Sequence, residues 1–167
     1  MDIMKIGITG SSKLAGELLS ILDNNIVYEK VEMESFRYPD IIPWNELDVF
    51  INNAHVQFSQ TELLHEAYEN WKEDEDKLII NISSRAHKPN ISKGYLYSAQ
   101  KAALNHLADN LTYNSDAQFG IVTLNLGLLE HALESVPYDE VCTLVKDIIF
   151  DFYTNRPMQT EITFQHR

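Results

Sequence analysis

The chain has 167 residues, 44% of them hydrophobic, enough to bury a core within one domain. Its 25 acidic side chains outnumber 13 Lys and Arg, giving a formal net charge of −12. A surface of that sign excludes nucleic acid and anionic membrane as general partners, and an anionic ligand can bind only where local geometry compensates. The lone cysteine, Cys142, rules out an intrachain disulfide. MDIMKIGITG lacks a signal-like apolar run and no stretch reaches transmembrane length, so the expectation is a cytoplasmic protein.

Lys5 to Thr9 (KIGIT) reads as a strand ending in Gly10, and SSKLAGELLSIL as a helix with Leu18, Leu19 and Leu22 on its apolar face. Strand, glycine turn and helix in succession open a nucleotide-binding βαβ unit. The glycine allows a tight turn, and the free N–H groups of the helix can hold a phosphate. The same arrangement also occurs where nothing binds. Asn24-Asn25 marks a turn and Ile26 to Val31 a second strand. Residues 32–47 show no period, and their two prolines exclude a long helix. Asp48 to Asn52 is a buried strand that runs into Asn53-Ala54-His55. Ser59 to Glu62 has the pattern of a capping box, opening a helix with Leu64, Ala67, Tyr68 and Trp71 on one side. Lys72 to Lys77 (KEDEDK) closes it as a solvated end.

Leu78 to Ile82 is a strand that carries Ser83 and Ser84 at its end. After a loop comes a helix bearing Tyr97 and Lys101, four residues apart and therefore on one face. An ammonium near a phenol favours the phenolate, so the tyrosine can exchange a proton nearer neutral pH than its ordinary value of about 10 allows. A serine hydroxyl beside it can polarise a carbonyl. The structural alternatives are a core-covering aromatic, a solvated lysine and a turn serine. Leu104, Leu107, Ala108 and Leu111 define the core side of this helix. Ile121 to Asn125 is a further strand, followed by Leu126-Gly127-Leu128. A last helix starts near Pro137, with Val141, Leu144, Val145, Ile148 and Phe152 on one side, and Met158 to Phe164 is a final strand. His65, His87, His106, His131 and His166 lack metal-ligand spacing with acidic partners or Cys142, so no metal is expected. Strands alternating with helices predict a single α/β domain over 1–167, with a mostly parallel sheet covered on both faces.

In this order the motifs resemble those of the short-chain dehydrogenase/reductase family. TGxxxGxG appears as Thr9-Gly10-Ser11-Ser12-Lys13-Leu14-Ala15-Gly16, and NNAG as Asn52-Asn53-Ala54-His55. Ser84 stands thirteen positions before Tyr97, YxxxK is Tyr97 to Lys101, and the family's PG turn is matched by Leu126-Gly127. The resemblance implies a Rossmann-like, doubly wound sheet. Only about forty residues separate Gly10 from Asn53, which implies that one crossover is lost and about six strands remain. It implies Ser84, Tyr97 and Lys101 as catalytic residues, with Tyr97 as the acid/base. Gly10, Ser12, Lys13, Leu14, Asn53, Ala54, Lys101, Gly127 and Leu128 would bind the cofactor. That cofactor is a nicotinamide dinucleotide, NADP rather than NAD (NAD remaining possible), because Lys13 lies in the glycine loop and no aspartate ends the second strand. Arg37 is a lesser candidate for the 2′-phosphate. The implied substrate is a small carbonyl or alcohol. The implied assembly is a homodimer or homotetramer joined through the helices near 61–73 and 97–113.

The departures are specific. Leu14 replaces the middle glycine and Leu126 the proline. His55 replaces a glycine, placing an imidazole where adenosine packs in the family. The family's catalytic asparagine has no counterpart, with Gln57 and Gln60 as its nearest substitutes. The alternative to a reductase is therefore a dinucleotide-binding sensor or partner-binding protein without turnover.

Overall fold

The computed structural model describes residues 3–10, 13–22, 30–89, 94–127, 137–156 and 160–165. Six strands form one all-parallel sheet: β1 (Ile3–Thr9), β2 (Lys30–Phe36), β3 (Val49–Asn52), β4 (Leu78–Ser84), β5 (Gly120–Leu126) and β6 (Glu161–Phe164), in the spatial order β2-β1-β3-β4-β5-β6. Among the described residues four helices cover it: α1 (Lys13–Leu22), α2 (Ser59–Trp71), α3 (Tyr95–Asn114) and α4 (Tyr138–Asn155). α1 and α4 bury Leu14, Leu18, Val141, Val145 and Ile149 on one face of the sheet. α2 and α3 bury Leu64, Trp71, Leu104 and Leu111 on the other. The expected doubly wound α/β fold is present.

β1, β3 and β4 are near-continuous apolar runs because both of their faces are covered. β2 is the edge strand, and its pattern differs. Val31 and Phe36 are buried, whereas Glu32, Glu34 and Ser35 are exposed. The second strand is described over Lys30–Phe36 and so continues into residues expected to be a connector, while positions 26–29 of the expected strand lie outside the described residues. A half-covered edge strand alternates, and that alternation hides inside a polar-looking segment. The lost crossover follows directly. From β2 the chain passes through a connector with a short 3-10 turn at Trp44–Glu46 into β3, burying Ile42, Trp44 and Leu47 beneath α2. Trp71 Nε1 donates to the Trp44 carbonyl at 2.8 Å, fixing this connector to the end of α2.

The expected capping box is absent. The N-cap of α2 is Phe58, and Ser59 lies inside the helix with its hydroxyl buried and no partner among the described residues. Glu62 is instead taken by the Tyr38 hydroxyl. Cys142 is fully buried, and burial pushes its thiol up to about 12, which makes it inert rather than reactive. The Asn24-Asn25 turn, the side chains of Leu19 and Leu22, and the segment from Leu128 to Val136 lie outside the described residues. So do Met158, His131 and His166.

Among the described residues no helix is long and apolar enough to cross a membrane, and no cluster of metal-ligating side chains occurs. In α1, a Cβ added at Gly16 would meet nothing within 4 Å. The last glycine of the motif is thus not required by close packing. Gly16→Ala is expected to raise stability by about 0.5–1 kcal/mol through helix propensity, measured by urea unfolding. A loss of stability would show that a close approach requires this glycine.

Candidate functional site

The strand order reverses between β1 and β3, and a crevice opens there at the carboxyl ends of the strands, where ligands bind in such sheets. Thr9, at the end of β1, ties the crevice together. Its hydroxyl accepts from the backbone N–H groups of Asn53 (2.9 Å) and Ala54 (3.1 Å), and its carbonyl accepts from Asn53 Nδ2 (3.2 Å). Gly10 follows with φ +95°, and a Cβ there would stand 3.0 Å from that of Ala54. Both the backbone conformation and the space require glycine.

From this point a cavity of ≈ 400 Å³ runs across the strand ends. Gly10, Leu14, Asn53 and Ala54 line one end, and Ser84, Tyr97, Lys101 and Gly127 the other, with His55 and Tyr138 along the wall. The structure therefore brings together six of the expected cofactor-binding positions with all three expected catalytic ones, Lys101 counting in both sets. Lys13 does not line the cavity; its ammonium lies 5.1 Å from the centre of the Tyr138 ring. Ser12 and Leu128 lie outside the described residues. Leu14 is 3% exposed, so the side chain that replaces the middle glycine packs into the core. A Cβ on Gly127 would stand 2.9 Å from that of Gln165, just past the end of β6. Contact with the chain beyond that strand explains this glycine without reference to a ligand.

Ser84 ends β4 in extended conformation, and its hydroxyl accepts from the Ala86 N–H at 3.1 Å, leaving its own proton to donate. Ser98, next to Tyr97, donates to the Ala86 carbonyl and so anchors the turn after Ser84 to the start of α3. Tyr97 is 38% exposed and Lys101, one turn deeper, only 4%. The Lys101 ammonium lies 5.6 Å from the centre of the Tyr97 ring. It donates to Gln60 Oε1 at 2.7 Å and to the Ile82 carbonyl at 3.0 Å. Burial lowers its pKa from 10.5 to about 8.

Two residues that the motifs did not assign complete this end of the site. Gln60 is 3% exposed, and its Nε2 donates to the carbonyls of Asn52 (2.7 Å) and Ile82 (2.8 Å). His55 packs edge-on against Tyr97, with ring centres 4.7 Å apart. The imidazole that the family pattern would place against adenosine stands instead on the candidate acid. Burial first, and then the charge of Lys101, hold it below its ordinary value, opposed by hydrogen bonds with Gln100 and Gln60. Gln57, the other candidate substitute, is an exposed loop residue with φ 51°.

A chain of polar side chains braces the strand ends behind the site. Ser83 Oγ donates to Asn105 (2.5 Å), Asn105 to Asn125 (2.8 Å), and Asn125 to Glu161 in β6 (2.5 Å). Glu161 in turn lies 3.5 Å from His87, whose Nδ1 is 2.7 Å from the Ser84 carbonyl. A second, larger cavity of ≈ 560 Å³ lies at the amino end of β5 between α3 and α4, and its walls include Leu111, Phe119, Ile121 and Phe152. Its cationic residue, Arg156, is occupied by the Glu75 carbonyl and Asp76. It contains none of the residues of the motifs.

No family model matches the chain, and no curated protein matches it. Solved structures do. A serine dehydrogenase from Escherichia coli is 14% identical, covers 97% of each chain and superposes with a TM-score of 0.66. An alcohol dehydrogenase from the archaeon Thermococcus sibiricus, complexed with 5-hydroxy-NADP, is 14% identical over 99% of this chain and 97% of its own, with a TM-score of 0.70. A metagenomic short-chain oxidoreductase in complex with NADP is 17% identical over 96% of each chain, with a TM-score of 0.68. The chain has the fold of the short-chain dehydrogenases/reductases.

Proposed function

We propose that this protein is an NADPH-dependent oxidoreductase that reduces a carbonyl group on a small substrate. The observation that carries this reading is the convergence of Ser84, Tyr97 and Lys101 on the cavity that also opens onto Gly10 and Asn53. The residues present fit a dinucleotide. Gly10 lines the cavity at the head of α1 without a side chain, and among the described residues no carboxylate lines it. In so acidic a protein, a groove whose described lining is free of acid favours a phosphate-bearing ligand. Gly10 and Leu14 would hold the phosphates, Asn53 and Ala54 the adenosine side, and Lys101 and Gly127 the nicotinamide riboside, which supplies the hydride. Tyr97 gives a proton to the carbonyl oxygen and Ser84 hydrogen-bonds the same oxygen. Lys101 holds the ribose and favours departure of the tyrosine proton.

The preference for NADPH rests on Arg37. It follows β2 directly, and β2 is fastened to the glycine turn by the Gly10 N–H to the Phe36 carbonyl and the Ser35 hydroxyl to the Gly10 carbonyl, each at 2.9 Å. With β2 ending at Phe36, Arg37 is the basic residue at the strand end where a 2′-phosphate is read, and the Asp40 carboxylate beside it is taken by the Arg37 backbone N–H at 2.7 Å. Lys13, the first choice from sequence, faces Tyr138. Arg37→Glu is expected to weaken NADPH by about ten- to a hundredfold, with little change for NADH. Fluorescence titration with both cofactors checks this, and an unchanged NADPH affinity would place the 2′-phosphate elsewhere.

The test of the function is titration with NADPH and NADH followed by a screen of small carbonyls. No binding of either would overturn the reading. A second reading, a dinucleotide-responsive protein without turnover, is favoured by His55, because an imidazole against Tyr97 narrows the space at the candidate acid. Binding with no turnover on any carbonyl would support it. We further propose a cytoplasmic homodimer or homotetramer, associating through α2 and α3. α3 exposes Leu96 and Tyr113 at 65% and 61%, and a monomer by light scattering would refute the assembly.

A further inference from the structure

We propose that Gln60 is the positioning residue for Lys101: its amide, locked across the ends of β3 and β4, presents one fixed acceptor to the buried ammonium and leaves one ammonium N–H for the cavity. The orientation of the amide is dictated chemically. Nε2 faces two backbone carbonyls, of Asn52 at 2.7 Å and Ile82 at 2.8 Å, and only a nitrogen can donate to both. Oε1 must then point the other way, where Lys101 Nζ stands at 2.7 Å. The backbone of Gln60 is fixed as well, since its carbonyl accepts from Asn52 Nδ2 at 2.8 Å. Asn52 in turn reaches Asn81 at 2.9 Å, so the strand ends and the helix start hold one another.

The lysine needs this arrangement. At 4% exposure its ammonium has little access to water, and a buried charge is tolerated only when its donors are satisfied. An ammonium has three N–H groups. Gln60 takes one and the Ile82 carbonyl, at 3.0 Å, takes a second. The third remains for the cavity that Lys101 lines. With fewer acceptors the charge would be harder to hold; with a mobile acceptor the open N–H would have no fixed direction. The titratable groups facing Lys101 are His55, from the loop before α2, and Tyr97, earlier in α3. No carboxylate among the described lining residues shares the role.

The consequence for catalysis rests on the reductase reading given above, but the coupling of Gln60 to Lys101 does not. It can be read without cofactor or substrate by NMR titration of the lysine ε-methylenes, with the Lys101 signal assigned by its loss in Lys101→Met. In Gln60→Glu the Lys101 midpoint is expected to rise by about one pH unit or more, because an opposite charge replaces a neutral acceptor. In Gln60→Met it is expected to fall, because an acceptor is lost. A midpoint within about 0.3 of the wild-type value in the folded variants would overturn the proposal and leave Gln60 as a seal for the strand ends. If Gln60→Met does not fold, Gln60→Glu decides alone. If both shifts occur and no carbonyl is reduced, the positioning role stands and the reductase reading falls.

Discussion

Replacing Tyr97 by phenylalanine is expected to lower kcat by about 10²- to 10⁴-fold, the usual contribution of a positioned general acid. NADPH affinity should stay within about twofold, because the interaction removed is made to the reacting oxygen rather than to the cofactor. The substitution isolates the hydroxyl. Phenylalanine keeps the ring that packs edge-on against His55 at 4.7 Å and lies 5.6 Å from the Lys101 ammonium, so the wall of the cavity survives. The residue is 38% exposed, and the hydroxyl is not required to satisfy a buried partner. Stopped-flow or steady-state assays on any accepted carbonyl, with a parallel fluorescence titration, give both numbers. A variant with wild-type turnover would remove Tyr97 from the chemistry and direct attention to His55 or Ser84.

The second large effect concerns pH. Lys101 has its pKa lowered by burial from 10.5 to about 8, so the free protein loses this charge in an accessible range. If the ammonium assists Tyr97, kcat/KM should fall as pH rises through about 8, since kcat/KM reports the free enzyme. Stability should move in the opposite direction. Below about 8 the folded chain carries the cost of a buried charge; between about 8 and 10.5 the unfolded chain keeps a proton that the folded chain has released. The unfolded state then binds more protons, so stability rises with pH across that window and levels above it. The size of this contribution is about 3 kcal/mol. In Lys101→Met this rise should be missing, so the difference between the two stability curves isolates it from other titrations. Wild-type and variant curves that run parallel from pH 7 to 10.5 would show that the lysine is not held buried and charged.

Much of the fold was legible because it rests on local patterns. The apolar runs of β1, β3, β4 and β5 and the helical faces of α3 and α4 lie close to where periodicity places them. The grouping of the candidate site residues was legible for a related reason. Gly10, Asn53, Ser84, Tyr97, Lys101 and Gly127 each sit at a strand end or in the first turns of a helix, and a parallel sheet gathers all such ends on one edge. Failures arose where the deciding neighbour was distant in sequence. Residues 32–36 read as connector rather than strand because their burial pattern depends on lying at a sheet edge beside β1. Ser59 looked like a cap, but the helix begins after Phe58 and Glu62 is drawn to Tyr38. Arg37 rose above Lys13 as the candidate for the 2′-phosphate only once β2 was seen to end at Phe36.

The sequence by itself determined an α/β chain with a shortened second crossover and three candidate catalytic side chains at the ends of its elements, because spacing along a helix or strand converts directly into a shared face. Only the tertiary structure decided what surrounds those side chains. Gln60 meets Lys101 across 41 positions of sequence, His55 meets Tyr97, and Arg37 comes beside Gly10 through β2. Such meetings are set by which strands are neighbours and how far a loop is cut, and no local period records them. The charge of Lys101 illustrates the division: the residue is read from its motif, but the pH at which it loses its proton is fixed by burial.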